Sequence, residues 1–145
     1  FTTYLLVSAG ELHTAAEVNE FKRLVKDLLN TKAEVILFEP RPRLKYDPKK
    51  AGVLQQNSKN TVIAFDTAVT QAWTSALTEL SSYSNFKIFD QNKALIQLGC
   101  GQSACFDGHT KTGHLVYRDP THLTDLGAKA VFDSYNAWQR RGAKP

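Results

Sequence analysis

Short apolar runs of strand length alternate along the chain with longer segments whose apolar residues recur at helical spacing. The runs lie at residues 4–7, 34–38 and 86–89, and the amphipathic segments lie at residues 14–29 and 67–83. This order predicts an α/β fold, in which right-handed crossovers place the strands in a parallel sheet with helices on both faces. We therefore expect a three-layer α/β/α architecture in which the first two strands are buried on both faces and the third, with an alternating pattern, is short.

Local signals indicate where several of these elements begin and end. Thr14 and Glu17 have the spacing of a capping box at the start of the first helix. Leu123 opens the last helix, and Thr124 is its cap. Residues 95–98 are predicted to form a short extended piece. Residues 41–61 lack periodicity, so we expect a long irregular excursion that covers a site.

The composition is that of one soluble globular domain. The chain has 145 residues, of which 42% are hydrophobic, and its apolar runs are far shorter than the roughly 18 residues that cross a bilayer. The net charge is +4, and one cluster concentrates positive charge: Arg41, Arg43, Lys45, Lys49 and Lys50. A solvated loop is favoured for this cluster over a site for an acidic glycan or a lipid headgroup. No nucleic-acid motif accompanies it, so no nucleic-acid partner is expected.

The two cysteines of the chain, Cys100 and Cys105, lie in a segment rich in Gly, Ser and Asp. Their spacing favours a disulfide that closes a tight loop, which places the chain in an oxidising compartment such as the periplasm or the cell exterior. Zinc is the competing interpretation, because His109 and His114 would complete a set of four ligands. A standard finger has about twelve residues between its Cys pair and its His pair, and this spacing is absent, so no metal is expected.

A turn motif of Asp119, Pro120, Thr121 and His122 stands immediately before the last helix. Pro120 fixes its own φ angle and keeps Asp119 out of the α region, so the turn can bring the Asp119 carboxylate to one ring nitrogen of His122. The other ring nitrogen then stays free to take a proton from a serine or cysteine, as in a nucleophilic triad. On spacing alone, the pair also fits a helix cap or a surface hydrogen bond.

The residues around this pair resemble a known family. Residues 117–124, with the sequence Tyr-Arg-Asp-Pro-Thr-His-Leu-Thr, and the following Gly127 and Ala128 resemble the last sequence block of the SGNH (GDSL-type) esterases and acyltransferases. With the cysteine pair upstream, residues 100–130 are similar to the SGNH domains fused to membrane acyltransferase-3 domains in bacterial glycan O-acetyltransferases. The resemblance implies that His122 is the general base and that Asp119 orients it.

The resemblance also indicates what this chain lacks. The loop after the first strand, where the family places an oxyanion hole, has no Asn, which leaves only Ser8 or a backbone N–H near Gly10 for that role. No Gly-Asp-Ser block occurs, the chain has no methionine, and it begins at Phe1 on an apolar run. We expect that two strands and the nucleophilic serine precede Phe1, so that residues 1–145 are the larger, C-terminal part of one SGNH-type domain. Ser8 is the alternative nucleophile.

These expectations combine into one hypothesis of function. An O-acetyl group is moved to, or removed from, a bacterial cell-envelope polysaccharide through a Ser-His-Asp acyl-enzyme, with no metal or organic cofactor. The resemblance implies a membrane acyltransferase domain that supplies acetyl, and a periplasmic location. Two alternatives stay open: a free-standing secreted carbohydrate esterase, and a non-catalytic binding module that keeps the fold without its nucleophile.

Overall fold

The computed structural model describes residues 2–7, 12–41, 43–50, 67–101 and 106–142. The chain divides into two compact units. The first unit contains Phe1–Pro40 and Ala64–Phe89, and the second contains Arg41–Ile63 and Asp90–Lys144. Within the described ranges, no helix is long and apolar enough to cross a membrane.

The first unit is built on a parallel three-stranded sheet. Its strands are β1 (Thr3–Val7), β2 (Glu34–Phe38) and β3 (Phe86–Phe89), in the order β1-β2-β3. Helix α1 (Ala15–Asn30) connects β1 to β2, and helix α2 (Thr67–Leu80) lies between β2 and β3 in the chain. The predicted α/β class, with parallel strands alternating with helices, is confirmed.

The core of this unit lies between one face of the sheet and the two helices, because successive side chains of a strand alternate between its two sides. Its buried residues are Val18, Val25, Leu29, Val35, Leu37, Val69, Trp73, Ala76, Leu80 and Phe86. Helix α1 begins as predicted, with the reciprocal capping box between Thr14 and Glu17. At the surface of the helix pair, Glu79 of α2 accepts from Lys22 and Lys26 of α1, at 2.8 and 2.6 Å.

Strand β1 differs from the prediction that it is buried on both faces. Among the described strands it pairs with β2 alone, so it lies at an edge of the sheet. The side chains of Tyr4 and Leu5 are 39% and 51% exposed, whereas Ile36 of the central strand is fully buried. An apolar run predicts a strand, but it does not show how many other strands pair with it. Among the described residues, β1 is therefore an edge strand with exposed apolar side chains.

The second unit contains helix α3 (Gln91–Leu98) and helix α4 (Asp125–Arg140), which pack against each other. The prediction of an extended piece at residues 95–98 is wrong, because these residues form the last turn of α3. The Asp90 side chain starts this helix by accepting from the backbone N–H of Lys93. A short apolar run fits strand and helix periodicity equally, and the cap decides between them.

The predicted cap of helix α4 is confirmed, although the helix itself begins at Asp125 and not at Leu123. Thr124 is its N-cap, and its hydroxyl oxygen accepts from the backbone N–H of Gly127 at 3.3 Å. On this helix Leu126 is 40% exposed, whereas Val131 is buried. The cap fixes the start of α4 immediately after the Asp-x-x-His motif.

Candidate active site

The Asp-x-x-His motif lies on a tight antiparallel loop of the second unit. Tyr117 and Leu123 form an antiparallel bridge, and the Arg118 N–H donates to the His122 carbonyl oxygen at 2.9 Å. Tyr117 is fully buried at the base of the loop, where its ring packs edge-on against Phe106 with centroids 5.8 Å apart. Burial raises the pKa of Tyr117 far above its ordinary value, so its phenol stays neutral and anchors the loop.

The Asp119 carboxylate is held by the backbone of its own turn. Its Oδ1 accepts from the N–H groups of Thr121 and His122 at 3.0 and 2.9 Å, and from the Thr121 hydroxyl at 3.2 Å. The backbone bond from Thr121, followed by the bonds from His122, holds the pKa of Asp119 well below its usual range, although partial burial opposes this. Asp119 is therefore an ionised carboxylate at neutral and mildly acidic pH.

The His122 ring faces this carboxylate with one nitrogen. Its Nδ1 lies 2.9 Å from both Oδ1 and Oδ2 of Asp119. An ionised carboxylate accepts, so Nδ1 carries the proton and Nε2 of the neutral ring keeps a lone pair. The His122 side chain is 58% exposed, and no atom of the described residues forms a hydrogen bond with Nε2. The arrangement supplies an oriented base whose accepting nitrogen is open to solvent.

Close backbone contacts support the turn from the rest of the unit. Gly108 has a φ of +85°, its carbonyl accepts from the N–H of Val116 at 2.7 Å, and a Cβ at Gly108 would lie 2.6 Å from Leu44 Cδ1. A Cβ at Gly127 would lie 2.5 Å from the Val116 carbonyl oxygen. The Thr124 hydroxyl donates to the same carbonyl at 3.1 Å. The start of α4 is thus docked on the strand-like segment that leads into the motif.

A distant part of the sequence also contacts the turn. The N–H of Leu44 donates to the carbonyl oxygen of Pro120 at 2.9 Å, and the Leu44 side chain is only 2% exposed. Sequence reasoning treated residues 41–61 as an irregular excursion and missed this contact. No local pattern could have revealed it, because the two partners are far apart in the chain.

The other histidines of the sequence lie apart from this pair. His13 is exposed before α1, where its N–H donates to Glu17 at 2.8 Å. His114 is exposed, and its Nδ1 lies 2.9 Å from the Thr112 hydroxyl. The His109 side chain is 22% exposed, and its Nδ1 lies 3.4 Å from Asp107 Oδ1.

Several predicted site residues lie outside the part of the chain that the structure describes. Ser8 and Gly10, the candidates for the oxyanion hole, and Cys105 are among them. The Cys100–Cys105 disulfide stays a prediction for this reason. Within the described ranges, no three His, Cys, Asp or Glu residues lie together in a way that could hold a metal ion.

Comparisons with known proteins agree with the fold. The profile of the family described as "SGNH domain (fused to AT3 domains)" matches residues 2–136, a range that includes Asp119 and His122. No curated protein matches the chain. The structure of the periplasmic domain of the Salmonella ser. Paratyphi A lipopolysaccharide acetyltransferase is similar, with a TM-score of 0.59 at 15% sequence identity.

That similarity covers 93% of this chain and 55% of the Salmonella chain, so this chain spans about half the length of its structural neighbour. At such low identity the likeness concerns the fold alone. The family profile matches nearly the whole sequence, and the motif it covers has the carboxylate and the imidazole in direct contact. The chain therefore belongs to the family of SGNH domains fused to AT3 domains.

Proposed function

We propose that this chain takes part in O-acetyl transfer to a hydroxyl group of a bacterial cell-envelope polysaccharide, with His122 as general base and Asp119 as its orienting partner. The observation that carries the proposal is the contact of His122 Nδ1 with both Asp119 oxygens at 2.9 Å, on a ring that is largely exposed. Family membership and the fold likeness to a lipopolysaccharide acetyltransferase domain support this choice of reaction.

The reaction has two halves, and His122 moves a proton in each. First, Nε2 takes the proton of a serine hydroxyl while the serine oxygen attacks the carbonyl carbon of an acetyl donor. The bond to the donor oxygen breaks, that oxygen receives the proton, and acetyl-serine remains. Nε2 then takes the proton of a sugar hydroxyl, whose oxygen attacks acetyl-serine, and the serine oxygen recovers the proton as it leaves. In each half, ionised Asp119 stabilises the transient imidazolium.

We place the serine on a further segment of the same domain that extends the sheet at β1. A strand paired with this edge would cover part of the apolar surface that Tyr4 and Leu5 expose. In open α/β sheets, ligands bind beyond the carboxyl ends of the strands, which is where a residue after such a strand would lie. On this proposal residues 1–145 are the larger, C-terminal part of one SGNH-type domain. Ser8 and Gly10, which follow β1, remain the candidates for the oxyanion hole.

We also propose a periplasmic location and a membrane acyltransferase domain as the acetyl supplier. The family description names a fusion to AT3 domains, and the similar Salmonella structure is a periplasmic domain. A membrane partner delivers acetyl to a site that meets the polysaccharide acceptor outside the cytoplasm. No cofactor enters this scheme, because an ester is exchanged for an ester.

The experiment compares the intact protein with its His122→Ala variant. Turnover of a chromogenic acetyl ester, and the appearance of an acetylated serine in a peptide mass spectrum, report the first half of the reaction. We expect the variant to lose turnover by about 10³-fold or more and to keep its melting temperature, because an exposed ring adds little packing. His114→Ala is the matched control, since it removes another exposed histidine of the same unit.

Each outcome has a defined meaning. A His122→Ala variant with ordinary turnover would contradict the role of His122. Acetate release to water, without transfer to any polysaccharide, would contradict acetyl transfer and favour the secreted carbohydrate esterase. A wild-type protein that forms no acetyl-serine with any ester would favour the non-catalytic binding module.

A further inference from the structure

We propose that a basic rim of Arg43, Lys45 and Arg118, beside the His122 turn, selects a negatively charged glycan as the acceptor. The recognised groups are carboxylates or phosphates carried on the saccharide. This inference rests on the proposed function, because it names the substrate class of the same site. The sequence favours a solvated loop for the basic cluster and leaves a site for an acidic glycan or a lipid headgroup as the alternative.

One backbone hydrogen bond places two members of the rim. Leu44 donates its N–H to the Pro120 carbonyl oxygen at 2.9 Å, and Arg43 and Lys45 flank Leu44 in the chain. The Leu44 side chain is buried, whereas Arg43 and Lys45 are both exposed. Two cations are therefore held within one residue of a contact to the catalytic turn.

The third member of the rim belongs to the turn itself. The Arg118 side chain is 62% exposed, and its Nε lies 3.8 Å from Oδ2 of Asp119, too far for a hydrogen bond. Asp119 already accepts from Thr121 and His122, so the Arg118 guanidinium keeps its donors for a ligand. A fork of planar donors suits the two oxygens of a carboxylate or phosphate.

The charges of Arg43 and Lys45 are not neutralised within the described part of the unit. No ion pair there includes either side chain. Asp133, another acidic residue of the unit, pairs with Lys129 at 2.5 Å. Asp47, the acid next to the rim in sequence, accepts from the backbone N–H of Lys49 at 3.0 Å in its own turn. Arg43 and Lys45 can therefore meet an anion without first breaking an internal salt bridge.

The charge of the whole chain is unevenly divided between the two units. The second unit carries 13 of the 18 lysines and arginines but only six of the 14 acidic residues, which gives it a net charge of +7. The first unit has five basic and eight acidic residues, and a net charge of −3. A field of one sign raises the local concentration of ligands of the opposite sign. The positive field surrounds the unit that contains His122, which favours an anionic acceptor over a neutral one.

The test measures binding of two matched oligosaccharides to the intact protein by calorimetry: an oligomer of galacturonic acid, and the same oligomer with its carboxyl groups reduced to alcohols. We expect the acidic oligomer to bind about tenfold more tightly, and the preference to shrink at high salt. The double variant Arg43→Glu/Lys45→Glu should lose this preference. Lys93→Glu/Lys111→Glu is the matched control, because it makes the same charge change at exposed positions of the same unit.

Four results would overturn the inference. They are equal affinity for both oligomers, an equal loss in both double variants, an undiminished preference in the rim variant, and binding of anionic phospholipid vesicles without binding of the acidic oligomer. Turnover of the small acetyl ester by the wild-type protein separates this test from the proposed function, because it needs no glycan acceptor and His122→Ala should lose it. Selective binding without acetyl turnover would support the rim and refute the acetyl-transfer proposal.

Discussion

Replacing Asp119 with asparagine tests the orientation of His122 with the smallest change in shape. The new side chain keeps an oxygen that can accept from the N–H groups of Thr121 and His122, which in the wild type donate to Oδ1 at 3.0 and 2.9 Å. It replaces the second carboxylate oxygen, 2.9 Å from Nδ1, by an NH₂ group that donates. The NH₂ group can donate to Nδ1 only when the ring proton is on Nε2, and the retained oxygen is already occupied by the two N–H groups, so this tautomer is favoured.

The expected loss follows from this change of tautomer. A ring with its proton on Nε2 cannot take a proton from serine, and the same substitution in an unrelated Ser-His-Asp triad lowers kcat by about 10⁴-fold. Because His122 is largely exposed and can reorient at some cost, we expect a loss of about 10³- to 10⁴-fold here. Since tenfold corresponds to about 1.36 kcal/mol, the barrier rises by about 4–5.5 kcal/mol. Unfolding free energy should change by only about 1 kcal/mol, the usual worth of a hydrogen bond.

The assay is turnover of an acetyl ester by the intact protein, with the melting temperature recorded in parallel. Asp107→Asn is the matched control, because Asp107 also accepts a backbone N–H, from His109 at 3.0 Å, and lies beside that histidine's Nδ1. The control should keep its activity. An Asp119→Asn variant within a few-fold of wild type, or a loss equal to that of Asp107→Asn, would refute the argument from the tautomer.

Three further predictions concern the framework. Gly127→Ala should lower the unfolding free energy by about 1–3 kcal/mol in a thermal melt, because its Cβ would meet the Val116 carbonyl oxygen at 2.5 Å; an unchanged melting temperature would contradict the close contact. The bonds from Lys22 and Lys26 lower the pKa of Glu79 to about 2 in the folded protein, from 4.5 in the unfolded chain. Ionised Glu79 therefore stabilises the fold fully above pH 4.5, and this stabilisation is lost as the pH falls towards 2. The stability difference between wild type and Glu79→Gln should therefore vanish in acid, and a difference that grows there would have the wrong sign. Thiol labelling of the unreduced, denatured protein should find no free cysteine, whereas two labelled thiols would exclude the Cys100–Cys105 bond.

Much of the local structure was predictable from the sequence, because the interactions that determine it join residues close together in the chain. The capping box joins Thr14 to Glu17, and the helical spacing of apolar residues in α1 can be read from that segment alone. The contact of Asp119 with His122 spans three residues and is formed by a turn that Pro120 restricts. The order of parallel strands and helices follows from the same local patterns.

Only the tertiary structure decided which of these elements have neighbours. β1 and β2 are both apolar runs, yet among the described strands β1 is an exposed edge and β2 is buried. The residues of a strand do not show whether another strand lies beside it. The apolar pattern of residues 95–98 fits a strand and a helix equally, and in the structure they complete α3, which packs against α4. The sequence likewise contained Arg43 and Lys45 as two charges in an irregular segment. The backbone bond from Leu44 to Pro120 placed them within one residue of a contact to the turn, since a contact between distant residues depends on the packing of the whole unit.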